Sequence, residues 1–207
     1  MLPKLEQAVA VHDCWSSYWK YDNVEHAVCC AHLLRELEGV KENEPNQQWA
    51  PQFTELLLEM KKAKETAIGL GKTELERTEL EAYERRYAEL MALADRECPA
   101  PPKLQEKKRG RRKRGPVRAL IERLQTLKDS VCLFVHNFAV PFDNNQAERD
   151  VRNIKTKAKV AGCFRSKKGA ENYTRLMSYI STGQKHGISA YKALTSAFSG
   201  NADIILG

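Results

Sequence analysis

The sequence predicts an α/β protein that is mostly helical, and two observations carry that expectation. Near the start, short apolar runs alternate with helical patterns in the order strand, helix, strand, helix. From residue 51 onward, apolar residues recur almost entirely at helical intervals.

The first run, "EQAVAVHD", predicts a strand that ends at Asp13, and "CWSSYWKYDN" has helical spacing with Trp15, Tyr18 and Trp19 on one face. "EHAVCCAH" predicts a second strand and "LLRELEGVKEN" a helix. An acid at the end of the first strand matters because open α/β sheets build their sites there.

The middle of the chain changes character. "PQFTELLLEMKKAKETAIG" places Phe53, Leu56, Leu57, Met60, Ala67 and Ile68 at helical intervals until "LGK" interrupts them. Thr73 and Glu76 suggest a capping box, after which Leu80, Tyr83, Tyr87, Leu90, Met91 and Ala94 form a second stripe. Two long helices with a short turn predict an antiparallel hairpin whose stripes pack on each other.

"CPAPPKLQEKKRGRRKRGP" reads as an exposed, proline-rich and then basic connector. Its cations, including Arg111, Arg112 and Arg114, repel one another too strongly to be core; a solvated linker and a contact with a phosphate backbone are both open readings. Val117, Leu120, Ile121, Leu124 and Leu127 then mark another helix, while "SVCLFVHNF" fits either a helix end or a short strand.

In "VPFDNNQAERDVRNIKTKAK", Pro141 opposes helix continuation and Asn144 or Asn145 is a suitable N-cap. Ala147, Val151, Ile154 and Ala158 predict a buried stripe, and Glu148, Arg152, Lys155 and Lys159 the stripe beside it. A further helix is expected through "GAENYTRLMSYISTGQK" to the stop "HG", with Tyr173, Leu176, Met177 and Ile180 inward, and a last one through "SAYKALTSAF".

Composition narrows the function classes. The 207 residues are 42% hydrophobic and 29% charged with net charge +7, a globular balance that suits polyanionic partners. No run of eighteen apolar residues occurs, and Glu6, His12 and Asp13 interrupt the start too early for a leader. The expectation is a cytoplasmic protein without a membrane partner. The six cysteines contain no CxxC pair, which favours structural thiols over zinc, although "CCAH" offers metal-ligand types.

Asp13 and Glu148 are the candidate acids. Carboxylates holding divalent ions serve phosphodiester chemistry, yet a glutamate in a first helical turn is also favoured by the helix dipole and an aspartate after a strand is an ordinary turn residue. Spacing alone leaves both readings open.

"PFDNNQAERDVRNIK" with "GCFRSKKGAENYTRLMSYISTGQKHG", together with "VHDCWSSYWKY" and "HAVCCAHLLREL", resembles transposases of the insertion-sequence-66 family. The resemblance covers both ends of the chain in order. It implies a partial ribonuclease-H-like domain over 1–40, an inserted helical hairpin and basic loop over 41–116, and C-terminal helices with the glutamate motif over 117–207. It further implies DDE chemistry: strand cleavage and transfer of DNA at element ends with Mg2+ or Mn2+, Asp13 matching the second aspartate and Glu148 the glutamate.

Asn144, Asn145, Arg149 and Arg152 match positions that orient the acid or contact DNA, with Lys155 and Lys159 continuing the cationic row. Only twelve residues precede Asp13, and Glu6 is the sole acid among them, so the first aspartate and early strands are expected to be missing. The resemblance then implies the C-terminal part of a catalytic domain, impaired in activity, which pairs with a separately encoded N-terminal part or with itself. The alternative is a non-catalytic DNA-binding regulator or an inactive remnant.

Overall fold

The computed structural model describes residues 8–101 and 115–201. It divides the chain into two compact units, Met1–Asn144 and Asn145–Gly207. Arg111, Arg112 and Arg114, with most of the basic run, lie outside the described residues.

In the first unit, β1 (Val9–His12) and β2 (Glu25–Val28) form a two-stranded parallel sheet in which Val9 faces Glu25 and His12 faces Val28. The helix expected between them is absent; a single 3-10 turn spans Tyr18–Lys20. Two local features stop helix growth. Cys14 adopts a left-handed conformation (φ 65°), and the Trp15 amide donates to the Asp13 carboxylate, a local bond that competes with the helical ladder. The second strand is also shorter than "EHAVCCAH" suggests, because Cys30 already opens α1 (Cys30–Asn43).

Along α1, Cys30, Leu33, Leu37 and Val40 are buried at intervals of three and four. They pack towards α2 (Trp49–Gly69), which buries Phe53, Leu56, Leu57, Met60 and Ala67 as its stripe predicts. Ile68 does not follow; it is half exposed near the hairpin tip. Gly71, at φ 74°, supplies the left-handed residue that turns the chain.

The hairpin's second arm, α3 (Arg77–Glu97), starts later than a cap at Thr73 requires. Glu76 is itself the N-cap and makes no side-chain cap bond; its carboxylate instead accepts from Lys72 Nζ at 2.9 Å. The capping box therefore does not form. Further along, Tyr87, Leu90, Met91 and Ala94 are buried, with the Phe53 and Tyr87 rings edge to face at 5.0 Å.

Pro116 occupies the first turn of α4 (Pro116–Thr126), where its missing N–H costs nothing. The ambiguous "SVCLFVHNF" resolves as helix α5 (Lys128–His136), which packs against β2. Val131, Cys132, Phe134 and Val135 are all buried there; a helix covered on several sides loses the simple stripe that identifies it. Tyr87 donates from its hydroxyl to Leu124 O at 2.8 Å, joining α3 to α4. Arg118, buried on α4, donates to Asp95 and to Cys98 O.

Residues 137–144 then run as a strap over this core. Lys64 Nζ donates to Val140 O at 2.5 Å and lies over the Phe138 ring. Cys30 N donates to Phe142 O at 3.0 Å, and the Phe142 ring meets Phe134 edge to face.

The second unit contains α6 (Asn145–Val160), α7 (Lys167–Lys185) and α8 (Ala190–Phe198). Ser166 and Ser189 cap α7 and α8 by accepting backbone N–H bonds from Gly169 and Lys192. Helix α7 ends at the predicted "HG", where Gly187 has φ 76°. The interior is thinner than the sequence stripes suggest. Val151 and Leu176, expected inward, are each 45% exposed, because three helices cannot cover every apolar stripe.

The α2–α3 contact is the clearest test of this packing. Phe53→Ala should lower the unfolding free energy by about 3–5 kcal/mol, read from denaturant titration; a loss under about 1 kcal/mol would contradict the buried ring pair.

Candidate functional site

The end of β1 is built by side chains that fold back on the backbone. Asp13 is exposed, and its Oδ1 accepts from Trp15 N at 3.2 Å. Cys14 N donates to His12 Nδ1 at 3.1 Å, and Cys29 N donates to His12 O at 2.8 Å. The strand end is thus held by both the main chain and the ring of His12.

His12 is almost completely buried. Its Nε2 lies 3.0 Å from His26 Nδ1, and His26 Nε2 lies 3.1 Å from Tyr21 O. The Tyr18 ring stacks on His12 at 4.9 Å, and Trp19 closes against both imidazoles. Burial, followed by the neighbouring His26, holds the His12 pKa below its ordinary value. Neither histidine is prominent in the sequence. The available signal was one histidine in each strand run, but only the parallel register brings them together.

At the β2–α1 junction, Cys29 Sγ accepts from Asn144 N at 3.2 Å and lies 3.2 Å from His32 Nδ1. The Cys30 thiol, pushed well up by burial, lies within sulfur hydrogen-bond range of Val28 O and Val131 O. Burial also pushes Cys132 up to about 12 and Cys14 up to about 11. These thiols stay protonated and act as packing groups.

Glu148 lies in the first turn of α6, where the helix dipole favours a negative charge. Asn145 is the first helical residue, leaving Asn144 immediately ahead of it. Arg149, Arg152, Lys155 and Lys159 are all exposed. On the same helix, Asp150 accepts from Ser181 Oγ at 2.7 Å and from Lys185 Nζ at 2.6 Å, both on α7. At about 100° per residue, Glu148, Arg152, Lys155 and Lys159 lie within about 40° of the direction opposite Asp150. Pairing with α7 therefore sets which way the cationic row points, a relation the sequence stripe alone did not disclose.

A family model described as Transposase IS66 family matches residues 1–172, a span that includes Asp13 and Glu148. The chain belongs to the IS66 transposase family. Membership in a transposase family accords with the +7 net charge of the sequence. No curated protein and no solved structure matches this IS66-family chain. Among its described residues, no helix is long and apolar enough to cross a membrane.

Thiol chemistry checks the strand-end packing. At pH 8, a brief alkylation followed by mass spectrometry should modify exposed Cys163 well before Cys14, Cys30 and Cys132. Equal rates for Cys163 and Cys132 would contradict the burial described above.

Proposed function

We propose that this IS66-family protein cleaves and joins DNA strands at the ends of an insertion sequence, with Asp13 and Glu148 as metal-binding carboxylates. The match over residues 1–172, which contains both acids, is the observation that carries the reading. The donor chemistry supports it. Asp13 presents an exposed carboxylate with one oxygen engaged by a backbone N–H, and carboxylate oxygens suit hard ions such as Mg2+ or Mn2+.

When bound, such ions activate a water or a 3′-hydroxyl and steady the leaving oxygen of a phosphodiester. The chain's own residues supply the rest. Trp15 N orients the Asp13 carboxylate, and Arg149, Arg152, Lys155 and Lys159 on α6 attract the phosphate backbone. The sequence of the basic run, with Arg111, Arg112 and Arg114, adds further cations suited to the same polyanion. Asn144 and Asn145 precede Glu148 and orient that acid or contact the DNA.

Strand nicking on DNA that carries the element ends tests the acids. If the ions contribute about 4 kcal/mol at the transition state, Asp13→Asn and Glu148→Gln should each lower the Mg2+-dependent rate by about a thousandfold. Unchanged rates in both would sink the catalytic assignment.

Salt dependence tests the row on α6 separately. Replacing Arg149, Arg152, Lys155 and Lys159 by Gln should reduce the slope of log K against log salt by about 3 to 4, as four lost phosphate contacts require. Affinity that keeps its full slope would remove α6 from the DNA interface. Salt-dependent binding with nicking indifferent to Asp13 and Glu148 would instead identify a DNA-binding regulator without catalysis.

A further inference from the structure

We infer that His26 is a positioning residue, which fixes the tautomer of His12 and thereby holds the turn that presents Asp13. The inference rests on the proposed role of Asp13 and assigns a task to a histidine pair that the metal chemistry itself leaves unused.

The hydrogen bonds determine the protons. Cys14 N can only donate, so His12 Nδ1, 3.1 Å away, must be the acceptor and carries no hydrogen. In the neutral ring the hydrogen then lies on Nε2, which points at His26 Nδ1 at 3.0 Å. That second ring must accept at Nδ1, and its own Nε2–H donates to Tyr21 O at 3.1 Å. One assignment satisfies all three bonds. The chain of donors runs from the Cys14 amide through both imidazoles to a carbonyl in the loop before β2.

The consequence falls on Cys14, the one described non-glycine residue with positive φ, at 65°. A side chain there is strained and persists only when its surroundings over-determine it. His12 Nδ1 supplies that determination by capturing the Cys14 amide, and the next amide, Trp15 N, is thereby left to bond Asp13 Oδ1. Without the acceptor at His26 Nδ1, a hydrogen kept on His12 Nε2 has lost its partner, and that cost opposes the single bond from Cys14 N. The alternative tautomer places a hydrogen on Nδ1, against the Cys14 N–H, and releases the turn. The walls favour retention of the pair: Tyr18 stacks on His12, Trp19 closes against both rings, and β1–β2 pairing fixes the strand register.

Two measurements on the full chain decide this without reference to catalysis. Long-range 15N–1H spectra of histidine-labelled protein should show His12 and His26 both protonated on Nε2 alone; an Nδ1–H form of His12 would overturn the inference. His26→Phe keeps an aromatic ring but lacks both hydrogen-bonding nitrogens. It should speed hydrogen exchange of the Cys14 amide by up to about tenfold, the worth of one hydrogen bond, while amides of α2 exchange as before. Unchanged exchange at Cys14 would overturn it.

Nicking then reads the link to Asp13. His26→Phe should lower kcat by about 10- to 100-fold, the usual effect of losing a partner that orients a ligand, with KM for DNA unchanged. His26→Gln, which restores one acceptor and one donor, should recover most of the loss. Failure of Asp13→Asn to affect nicking would refute the catalytic reading of Asp13, and the spectra and exchange would still decide the pair.

Discussion

The backbone at Cys29 and Cys30 carries hydrogen bonds to two segments far away in sequence. Cys29 N reaches back to His12 O and Cys30 N reaches forward to Phe142 O, while Cys29 Sγ receives Asn144 N. Buried amides must find partners, and these find them in the strand end before Asp13 and in the strap before the glutamate helix. The strand-to-helix joint thereby anchors both the strand end and the strap. Its neighbours reinforce it: Lys64 grips the strap at Val140, and α5 packs against β2. The long hairpin supplies the largest share of the apolar core that lets so small a sheet persist.

Local polar bonds decided the places where periodicity misled. The sequence between Asp13 and Asn23 has helical spacing, but the Asp13 carboxylate and the His12 ring take the first two amides of the would-be helix. Thr73 and Glu76 have the spacing of a capping box, but Lys72 takes the Glu76 carboxylate. In both cases a side chain chose a different partner from the one the motif supposes, which is the general reason short polar patterns specify less than long apolar ones.

The helices α1 to α4 were legible because each buries one face against a substantial neighbour, and the apolar period survives such packing. Helix α5 was ambiguous since Val131, Cys132, Phe134 and Val135 are all inward. In the second unit the stripes overstated burial, as Val151 and Leu176 illustrate, because a period records which face is apolar and says nothing of how much protein is available to cover it. Asp13 and Glu148 were legible as candidates through their motifs. The His12–His26 pair was not, because it depends on parallel strand register, and the local sequence does not encode a pairing across fourteen positions.

Asp150 gives the basic helix a keyed orientation. Its bonds to Ser181 and Lys185 act like a spline on a shaft, so the azimuth of the row formed by Arg152, Lys155 and Lys159 is set from the opposite side of the helix. Replacing one cation on that row by a neutral residue changes the strength of the field. Moving the acid by a single position would turn the whole field by about 100°. Sequence drift can therefore re-aim the cations of this helix through residues that carry none of its positive charge.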